Sequence, residues 1–499
     1  MRWPRIVRDA PKKYKMLKKY FKIIAKVAKK EQTPAYVVGG FVRDFLIGRE
    51  QKKDVDFVVV GSGLEFAKKF DEAMKQEGSL VEFPDFDTAR YVVGEGEKQL
   101  VLEFAGARSE SYRSDSRKPQ VEPTTLEGDL KRRDFTVNAM AVAVEAFTGL
   151  RAPTKTSIKK HLVDPFGGQE DLVEKILRTP LDPDITFSDD PLRMMRAIRF
   201  AGQLDFGIDH QTLESIFKNR ERIKIISVER VQEELVKMMG VAKPSICLTL
   251  LFQTQLLDLI LPEVAHLDGV EEIYGHQHKN NLIHTFKVVD NIAERSENVW
   301  LRLAGLFHDI GKTDTKQFVT GTGWTFYQHE HLGRKMTHQI CKRLRFSKEQ
   351  TAYLTKLVRW HQQPISLMDE GITDSAVRRL VVNLGDELDD LLILGVSDIT
   401  TGNPYKLKKR QANYEHLRER IAEVIEKDKL RAFQSPVRGE EIMQLCNLKP
   451  GPTVGEIKEA IEEAILEGEI PNEYEAALGY FNKIKEKYLS QAKDWEKIK

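Results

Sequence analysis

The chain has 499 residues, of which 41% are hydrophobic and 31% are charged, with 78 basic and 76 acidic side chains. This balance excludes an integral membrane protein and an intrinsically disordered chain, and the ordinary counts of 32 glycines and 19 prolines exclude a collagen-like protein. The length predicts several domains, each large enough to bury its own core. No apolar stretch reaches the ~20 residues of a membrane span. Three widely separated cysteines exclude a disulfide framework and indicate a reducing, cytoplasmic setting.

The first predicted element is a basic amphipathic helix within residues 1–30. This segment has 12 Lys and Arg against one acidic residue, a net charge of +11, whereas the remainder has 66 basic and 75 acidic residues, a net charge of −9. Apolar side chains recur at helical spacing: Leu17, Tyr20, Phe21, Ile24 and Val27. Two roles are open. One is a helix docked by its apolar face, and the other is a phosphate-binding arm or membrane-surface helix.

The next segments alternate between strand and helix. Residues 35–60 read as strand, glycine turn, helix and strand: AYVV, GGFVRDFLIG and VDFVVV. Further strands are predicted near 91–93 and 100–104, and the arginine-rich stretch 108–127 is expected to be a mobile loop poor in strands. From residue 187 onward the apolar period is helical almost throughout. These patterns predict an α+β head with a mixed sheet, followed by an all-α body.

Two short motifs in the head predict a phosphate and metal site. The glycine pair Gly39 and Gly40, after an apolar strand, allows backbone N–H groups to approach a phosphate closely. Asp54 and Asp56 alternate on the next strand, so both carboxylates project from one face. Such a pair can hold Mg²⁺ ions that bridge substrate phosphates during phosphoryl or nucleotidyl transfer. Glu103 is the candidate for a third carboxylate, and an ordinary surface acid is the alternative.

Six segments within residues 35–240 occur in the order and spacing of one enzyme family. They are GGFVRD, DVDFVVV, RRDFTVNAMA, DPFGGQEDLVEKILR, DDPLRMMRAIRFAGQLDF and ISVERVQEEL. Together they resemble the bacterial class II tRNA nucleotidyltransferases (CCA-adding enzymes) and the related poly(A) polymerases. The ending RGEEIMQLCNLKPGPTVGEIKEAIEEAILEGEI is similar to the tail of the same family. The resemblance implies a polymerase-beta-like nucleotidyltransferase head and addition of CCA to the 3′ end of tRNA from CTP and ATP, with release of pyrophosphate.

The resemblance also implies which residues hold the nucleotide. It places Arg133 on the triphosphate, and Asp134 and Asn138 near the sugar and the loop hinge, although Asp134 could instead be a structural cap. The loop at 108–127 matches the flexible loop that the family uses when it switches from C to A addition. The residues expected to bind the nucleotide are Gly39, Gly40, Arg43, Asp44, Arg133, Asp134, Asn138, Asp190, Arg193, Arg196 and Arg199.

Two of these residues are expected to read the base. Asp190 and Arg193 are three apart at the start of a predicted helix and so share a face. Cytosine and adenine both present an amino donor beside a ring-nitrogen acceptor, which a carboxylate and a guanidinium match, whereas uracil and guanine reverse this pattern. Arg196 and Arg199 continue the same face. An ordinary ion pair and a solvated basic stripe are the alternatives.

A cluster of histidines predicts a second metal site. Nine of the twelve histidines fall between residues 266 and 361, and the HD pair in GLFHDIGK, with IHTF before it and HEHLG after it, resembles the HD phosphohydrolase superfamily. Neutral imidazole and carboxylate ligands suit one or two divalent transition metals. The alternative is an inherited fold whose ligands no longer bind metal. The expected ligands are His284, His308, Asp309, His329, His361 and Asp398. His276, His278 and His331 are expected to be ordinary surface residues.

The sequence therefore predicts five segments and leaves rival functions open. The segments are a basic helix at 1–30, the nucleotidyltransferase head at 31–180, a helical neck and body at 181–260, an HD domain at 261–410 and a helical tail at 411–499. The expected partners are tRNA, CTP and ATP, with Mg²⁺ as cofactor and no membrane. The rivals are a poly(A) polymerase, a partial enzyme that adds only CC or only A, and an HD metallophosphohydrolase whose head only binds RNA. The paired carboxylates disfavour the last of these.

Overall fold

The chain divides into two compact units, Met1–Ile260 and Leu261–Lys499. The computed structural model describes residues 10–49, 54–96, 99–113, 116–149, 153–273, 276–277, 280–368, 373–428 and 435–497. Within these ranges no helix is both long enough and apolar enough to cross a membrane. The α+β head followed by a helical body, predicted from the sequence, is confirmed.

The first unit contains eleven strands and twelve helices among its described residues. The strands are β1 Ala35–Val38, β2 Asp54–Val59, β3 Ser79–Phe83, β4 Thr88–Val93, β5 Leu100–Gly106, β6 Arg108–Arg113, β7 Ser116–Pro123, β8 Ala141–Ala143, β9 Leu162–Val163, β10 Ile176–Leu177 and β11 Gly207–Ile208. The helices are α1 Ala10–Lys30, α2 Gly40–Ile47, α3 Gly63–Ala73, α4 Leu126–Lys131, α5 Lys155–Lys159, α6 Gly168–Glu174, α7 Pro183–Asp189, α8 Leu192–Leu204, α9 His210–Asn219, α10 Val228–Met239, α11 Pro244–Gln253 and α12 Leu256–Ile260.

The second unit is mainly helical in its described residues. Its helices are α13 Pro262–Ala265, α14 Asn281–Ala293, α15 Val299–Phe307, α16 Lys312–Thr315, α17 His329–Arg343, α18 Lys348–Trp360, α19 Gln363–Ser366, α20 Asp374–Leu384, α21 Leu388–Ser397, α22 Pro404–Asp428, α23 Gly439–Cys446, α24 Pro452–Leu466 and α25 Tyr474–Leu489. Two short hairpins accompany them, formed by β12 Glu272–Ile273 with β13 His276–Gln277 and by β14 Gln317–Val319 with β15 Gly323–Thr325.

A seven-stranded mixed sheet forms the head, in the order β3-β4-β5-β2-β1-β8-β9. Strands β2 and β5 run parallel, whereas the other neighbours are antiparallel. On one face, Phe57 of β2 stacks on Phe104 of β5 with ring centroids 5.1 Å apart, and Phe66 of α3 packs against them. Because side chains alternate along a strand, Asp54 and Asp56 point to the other face. The sheet thus separates its aromatic core from its carboxylates.

Helix α1 is docked on the aromatic face of this sheet. The side chain of Phe21 is buried and stacks on Phe147, with ring centroids 4.8 Å apart. Phe41 and Phe57 contact the Phe21 ring in edge-to-face geometry. The other buried apolar side chains of α1 are Leu17, Ile24, Val27 and Ala28. The docked helix predicted from the apolar spacing is therefore what the structure shows, and Lys22, Lys26 and Lys29 remain exposed on its outer side.

The expectation of a strand-poor loop at 108–127 is wrong. Strands β6 and β7 pair antiparallel there, from Arg108 opposite Pro123 to Arg113 opposite Ser116. The segment lacks the apolar alternation that predicts a half-buried strand, but backbone ladder hydrogen bonds do not require it. Helix α4 begins immediately afterwards, where the Thr125 hydroxyl accepts a hydrogen bond from the backbone of Gly128.

Candidate active site and metal centre

Three carboxylates lie on the open face of the head sheet. Asp54 and Asp56 alternate along β2, and both residues keep exposed surface, although the protein atoms around the Asp56 carboxyl exclude much of its hydration. Strand β5 runs parallel to β2 with Glu103 paired directly with Asp56. Directly paired residues on neighbouring strands project to the same side, so the three predicted carboxylates share one face. Their use as Mg²⁺ ligands stays a prediction.

The surroundings of the Asp56 carboxylate disfavour its charged form. Loss of hydration raises the pKa of Asp56, the negative charge of Glu103 raises it further, and Arg133 acts in the opposite direction. Arg90 lies opposite Glu103 on antiparallel β4 and donates a hydrogen bond from Nε to Glu103 Oε2 over 2.6 Å. The sequence analysis missed Arg90 because only the register of β4 and β5 brings it here. A divalent cation at this face would relieve the repulsion between the carboxylates.

The glycine turn completes a cradle beside Asp56. Gly39 precedes α2 with a φ of +70°, a region that favours glycine. A Cβ placed on Gly39 would lie 3.3 Å from Arg133 Nη1 and 3.7 Å from Asp56 Oδ2. The turn, the arginine and the carboxylate therefore converge on one point, at the N-terminal end of a helix whose first N–H groups suit an anion.

Arg133 is held in place by a carboxylate that the sequence analysis missed. Asp129 on α4 is fully buried. Its Oδ2 lies 3.0 Å from Arg133 Nη2, and its Oδ1 lies 2.6 Å from Arg132 Nη2. Burial opposes ionisation, but the two guanidinium groups lower the pKa of Asp129. The i,i+3 and i,i+4 spacing in DLKRR is the signal that could have identified Asp129.

Arg43 and Asp44 face the protein interior. Arg43 is 2% exposed, donates from Nε to Asp44 Oδ1 over 2.9 Å and donates from Nη1 to Asn138 Oδ1 over 2.7 Å. Its guanidinium also lies over the Phe200 ring. In this arrangement Arg43 positions Asn138, and the predicted contact of Arg43 and Asp44 with the nucleotide stays a prediction.

Asp134 joins Asn138 to the helical neck. Its Oδ1 accepts a hydrogen bond from Asn138 Nδ2 over 3.0 Å, and its Oδ2 accepts one from Arg196 Nη2 over 2.6 Å. Burial opposes ionisation, yet the charge of Arg196 and the hydrogen bonds from Asn138 and Arg196 lower the pKa of Asp134 to about 2. The predicted residues Asn138, Asp134 and Arg196 therefore form one continuous polar network.

Asp190 and Arg193 do not share a helical face. Asp190 has extended backbone, and α8 starts only at Leu192, so the i,i+3 argument does not apply to this pair. The side chain of Arg193 donates from Nη2 to the carbonyl of Arg132 over 2.8 Å. Asp190 Oδ2 lies 3.4 Å from Nη2 of Arg230, which the sequence analysis did not single out. Base recognition by Asp190 and Arg193 stays a prediction. The positions of the two side chains are set by their contacts with Arg230 and with the Arg132 carbonyl.

Arg199 is a buried residue of the neck. Its Nε lies 2.6 Å from Glu234 Oε2, and its Nη1 donates to Gln203 Oε1 over 2.7 Å. Its guanidinium lies 4.1 Å from the ring centroid of Phe200. These contacts tie α8 to α10 and leave a nucleotide-binding role for Arg199 as a prediction.

The second unit brings the six predicted HD residues together. Nε2 of His284 lies 2.9 Å from Asp398 Oδ1, and Nε2 of His308 lies 3.2 Å from Asp309 Oδ2. On the other side of Asp309, Nε2 of His329 lies 3.3 Å from Oδ1. His361 contacts His329 with their Nε2 atoms 3.2 Å apart. Two groups with metal-ligating geometry share the Asp309 carboxylate: His284, His308 and Asp309, and Asp309, His329 and His361.

The imidazole rings are oriented as metal ligands require. The Nδ1 atoms of His308, His329 and His361 each face a backbone carbonyl, at 2.7, 2.8 and 2.7 Å, and Nδ1 of His284 faces the Thr400 hydroxyl at 2.8 Å. The carbonyl partners hold the proton on Nδ1 of His308, His329 and His361 and leave their Nε2 lone pairs turned inward. Nε2 of His308 is fully buried, and its 3.2 Å approach to Asp309 Oδ2 does not have hydrogen-bond geometry. This donor set fits one or two divalent metal ions.

The remaining histidines lie apart from this centre or outside the described residues. The His331 side chain is 52% exposed and faces Glu330, as expected for a surface residue. His278 and the side chain of His276 lie outside the described residues. Lys312 donates to Asp309 Oδ2 over 2.6 Å, so a lysine also contacts the shared carboxylate.

Three family descriptions match successive parts of the chain. Residues 35–178 match the Poly A polymerase head domain, and residues 205–267 match the probable RNA and SrmB-binding site of polymerase A. Residues 281–398 match the HD domain.

Curated relatives match over most of the chain. A CC-adding tRNA nucleotidyltransferase of Thermus thermophilus is 31% identical over 460 residues, which cover 89% of this chain and 92% of the relative. An A-adding tRNA nucleotidyltransferase of Deinococcus radiodurans is 31% identical over 71% of this chain and 78% of the relative. A multifunctional CCA protein of Nitrosococcus oceani is 33% identical over 65% of this chain and 74% of the relative.

Solved structures share the fold. The Bacillus stearothermophilus CCA-adding enzyme in complex with CTP has a TM-score of 0.64 and 22% identity, covering 95% of this chain and 99% of that chain. A tRNA nucleotidyltransferase complexed with a primer tRNA and an incoming ATP analog has a TM-score of 0.54 and 25% identity, covering 79% of this chain and 98% of that chain.

Proposed function

Because this chain belongs to the tRNA nucleotidyltransferase family, we propose that it rebuilds the CCA 3′ end of tRNA from CTP and ATP without a template and releases pyrophosphate. The observation that carries this proposal is the cradle in which Gly39 and Arg133 meet Asp56, with Asp54 and Glu103 on the same sheet face. Such a set binds a triphosphate and its metal ions together. A head that only bound RNA would not need it.

The residues of the cradle have separate roles in the addition of one nucleotide. The 3′-OH of the RNA attacks the α-phosphate, a P–O bond forms there, and the bond to the β-phosphate breaks to release pyrophosphate. Asp54, Asp56 and Glu103 would hold Mg²⁺, which would supply positive charge beside the transferred phosphate. Arg133, fixed by Asp129, binds the triphosphate beside the glycine turn.

Base selection is assigned to Asp190 and Arg193. A carboxylate acceptor beside a guanidinium donor matches the Watson–Crick edges of both cytosine and adenine. In the structure Asp190 faces Arg230, and Arg193 is bonded to the Arg132 carbonyl, next to Arg133. Arg193 is therefore hydrogen-bonded to the residue that precedes Arg133, the arginine proposed to bind the triphosphate, which supports a common nucleotide pocket.

We assign RNA recognition to the helices outside the head, and we place the protein in the cytoplasm. Helical elements outside the head would recognise tRNA by shape and backbone, because A-form grooves hide base edges from side chains. The three cysteines are free, which supports a reducing, cytoplasmic location.

The product of the reaction distinguishes this proposal from its relatives. Purified protein is given tRNA ending before CCA, tRNA ending in CC, and an unstructured RNA primer, each with single labelled nucleotides. We expect two C residues on the first substrate and one A on the second, followed by termination. Failure on the second substrate would identify a CC-adding enzyme, and failure on the first an A-adding enzyme. A long A tail on the plain primer would identify a poly(A) polymerase.

A second activity is proposed for the HD centre because its ligand set is complete. His284, His308 and Asp398 surround one side of Asp309, and the inward Nε2 lone pairs suit a divalent transition metal. Such a centre can activate water for phosphoester hydrolysis. Metal analysis of the purified protein, together with phosphodiesterase and phosphatase assays on model esters, tests this. If CCA addition were absent and hydrolysis present, the protein would be an HD metallophosphohydrolase with an RNA-binding head.

A further inference from the structure

The outer face of α1 carries a stripe of lysines that the active site does not use. Lys22, Lys26 and Lys29 are exposed and spaced i, i+4 and i+7, so they line one side of the helix over about 10 Å. No ion pair or hydrogen bond neutralises them within the part of the chain that the structure describes. Lys19, by contrast, pairs with Glu77 over 2.7 Å. Three positive charges are thus left to solvent on a rigid, docked helix.

These lysines line a groove where α1 leads into the first strand of the sheet. The groove has a volume of about 860 Å³ and includes Gln32, Tyr36 and Glu145 in its walls. Three lysines and one glutamate are thus the charged residues of its lining. Gln32 adds hydrogen-bonding groups that suit a sugar–phosphate chain, and Tyr36 borders the groove while it also packs against the apolar cluster that contains Val38 and Val58.

The position of the groove separates it from the catalytic cradle. Tyr36 lies at the beginning of β1, whereas Gly39 follows its end, and Val38 pairs with Asp56. In addition, α1 packs on the Phe57 face of the sheet, and the carboxylates occupy the other face. Lys22, Lys26 and Lys29 therefore lie on the α1 side of the sheet, away from the carboxylates, whereas Tyr36 at the border of the groove projects to the same side as Asp56. A phosphate backbone that reaches the three lysines is separated by the sheet from an RNA 3′ end in the cradle.

The burial of the apolar face of α1 favours RNA over a membrane as the ligand of these lysines. An interfacial helix inserts its apolar side chains into lipid. The apolar side chains Phe21, Ile24 and Val27 are already buried against the head. The exposed side offers charge without an apolar anchor, which matches a phosphate backbone rather than a bilayer.

We propose that the groove formed by Lys22, Lys26 and Lys29 binds the phosphate backbone of RNA, without sequence preference, at a distance from the reacting 3′ end. The choice of RNA among polyanions rests on the proposed function. Each lysine that neutralises a phosphate releases counterions, so the affinity must fall as salt rises. The site adds affinity and orients the RNA relative to the head.

The test measures RNA binding by the full-length protein without nucleotides, by fluorescence anisotropy of labelled tRNA lacking CCA across a salt titration. The triple variant Lys22→Gln, Lys26→Gln and Lys29→Gln is expected to lower the slope of log affinity against log salt by about 2–3. The corresponding triple arginine variant should retain the slope. The matched control removes three exposed lysines elsewhere in the same unit: Lys75→Gln, Lys159→Gln and Lys160→Gln.

The possible outcomes separate this inference from the proposed function. An unchanged slope in the glutamine variant, or an equal loss in the control variant, overturns the site. Lysine-dependent sedimentation with vesicles of phosphatidylserine and phosphatidylcholine, together with an unchanged RNA slope, replaces RNA by a membrane surface. If the slope falls but no nucleotide is incorporated, the groove stands and the proposed CCA addition fails.

Discussion

Asp56 and Glu103 face each other on neighbouring parallel strands, and Arg90 fixes Glu103 from the strand beyond. The arrangement holds two carboxylates together at the cost of a raised pKa for Asp56. Sites that bind cations are commonly destabilised in this way in the absence of the cation, because like charges repel until it arrives. The carboxylate face is thereby prepared for a divalent ion.

Removing either strand carboxylate should abolish nucleotide incorporation. Asp54→Ala or Asp56→Ala is expected to lower the incorporation rate by about 100-fold or more, because charge stabilisation at the transferred phosphate is lost. Affinity for tRNA, measured by anisotropy, should change by less than about twofold, because one carboxylate contributes little to contacts along the backbone. Asp85→Ala removes an exposed carboxylate of the same unit and serves as the control. Near-normal incorporation by either variant would contradict the metal assignment.

Asp56 should destabilise the metal-free protein at neutral pH. Its pKa is raised above the ordinary value of 3.8. The native state therefore holds more protons than the unfolded state between the two pKa values, and stability falls as pH rises through that range. Asp56→Asn should raise the Tm of the metal-free protein at pH 7, with a gain that shrinks toward pH 3. A Tm gain that is the same at both pH values, or a loss at pH 7, would speak against this electrostatic origin.

Asp134 should contribute stability that acid removes. Its pKa is lowered to about 2 from an ordinary value of 3.8, a difference that corresponds to about 2 kcal/mol at neutral pH. This contribution is complete above the unfolded pKa and is lost as pH falls from about 4 toward 2. Denaturant unfolding of wild type and Asp134→Asn between pH 7 and pH 3 measures it. Parallel stability curves for the two proteins over this range would contradict the prediction.

Asp190 and Arg193 should act together on both bases. Asp190→Ala or Arg193→Ala is expected to lower CTP and ATP use together, or to admit UTP and GTP, by about 10-fold or more, since an unmatched polar edge costs about 1–3 kcal/mol. Single-turnover incorporation with each nucleotide measures this. Arg230→Gln removes the present partner of Asp190 and tests whether that contact orients the carboxylate. Full rate and full selectivity in both alanine variants would reduce the pair to structural contacts.

The HD centre should bind metal independently of nucleotide addition. The double variant His308→Ala and Asp309→Ala is expected to lose most bound transition metal and any phosphoester hydrolysis while retaining CCA addition. Because these residues are buried, Asp398→Asn provides a milder change at the same centre. Adding metal should raise the Tm of wild type but not of the variants, and His331→Ala is the control. Equal metal content in wild type and variants would contradict the assignment.

Local patterns in the sequence were sufficient for several of the individual elements. The apolar spacing of α1, the glycine turn before α2 and the alternation of Asp54 and Asp56 each depend on residues close in the chain, and each is found in the structure. Periodicity is readable in this way because 3.6-residue and 2-residue repeats are properties of a single segment. The residues around Asp309 were predicted as metal ligands from their motif, and the structure brings them together, while their binding of metal stays a prediction.

Contacts between distant segments were decided only by tertiary structure. The register of β4 on β5 places Arg90 on Glu103, and the packing of α10 places Arg230 rather than Arg193 beside Asp190. The strands β6 and β7 form through backbone pairing, which the polar sequence of this segment does not predict. The physical reason is the same in each case: strand register and helix packing are set by the burial of surfaces far apart in the chain, so a polar side chain on one segment does not specify which partner the fold will bring to it.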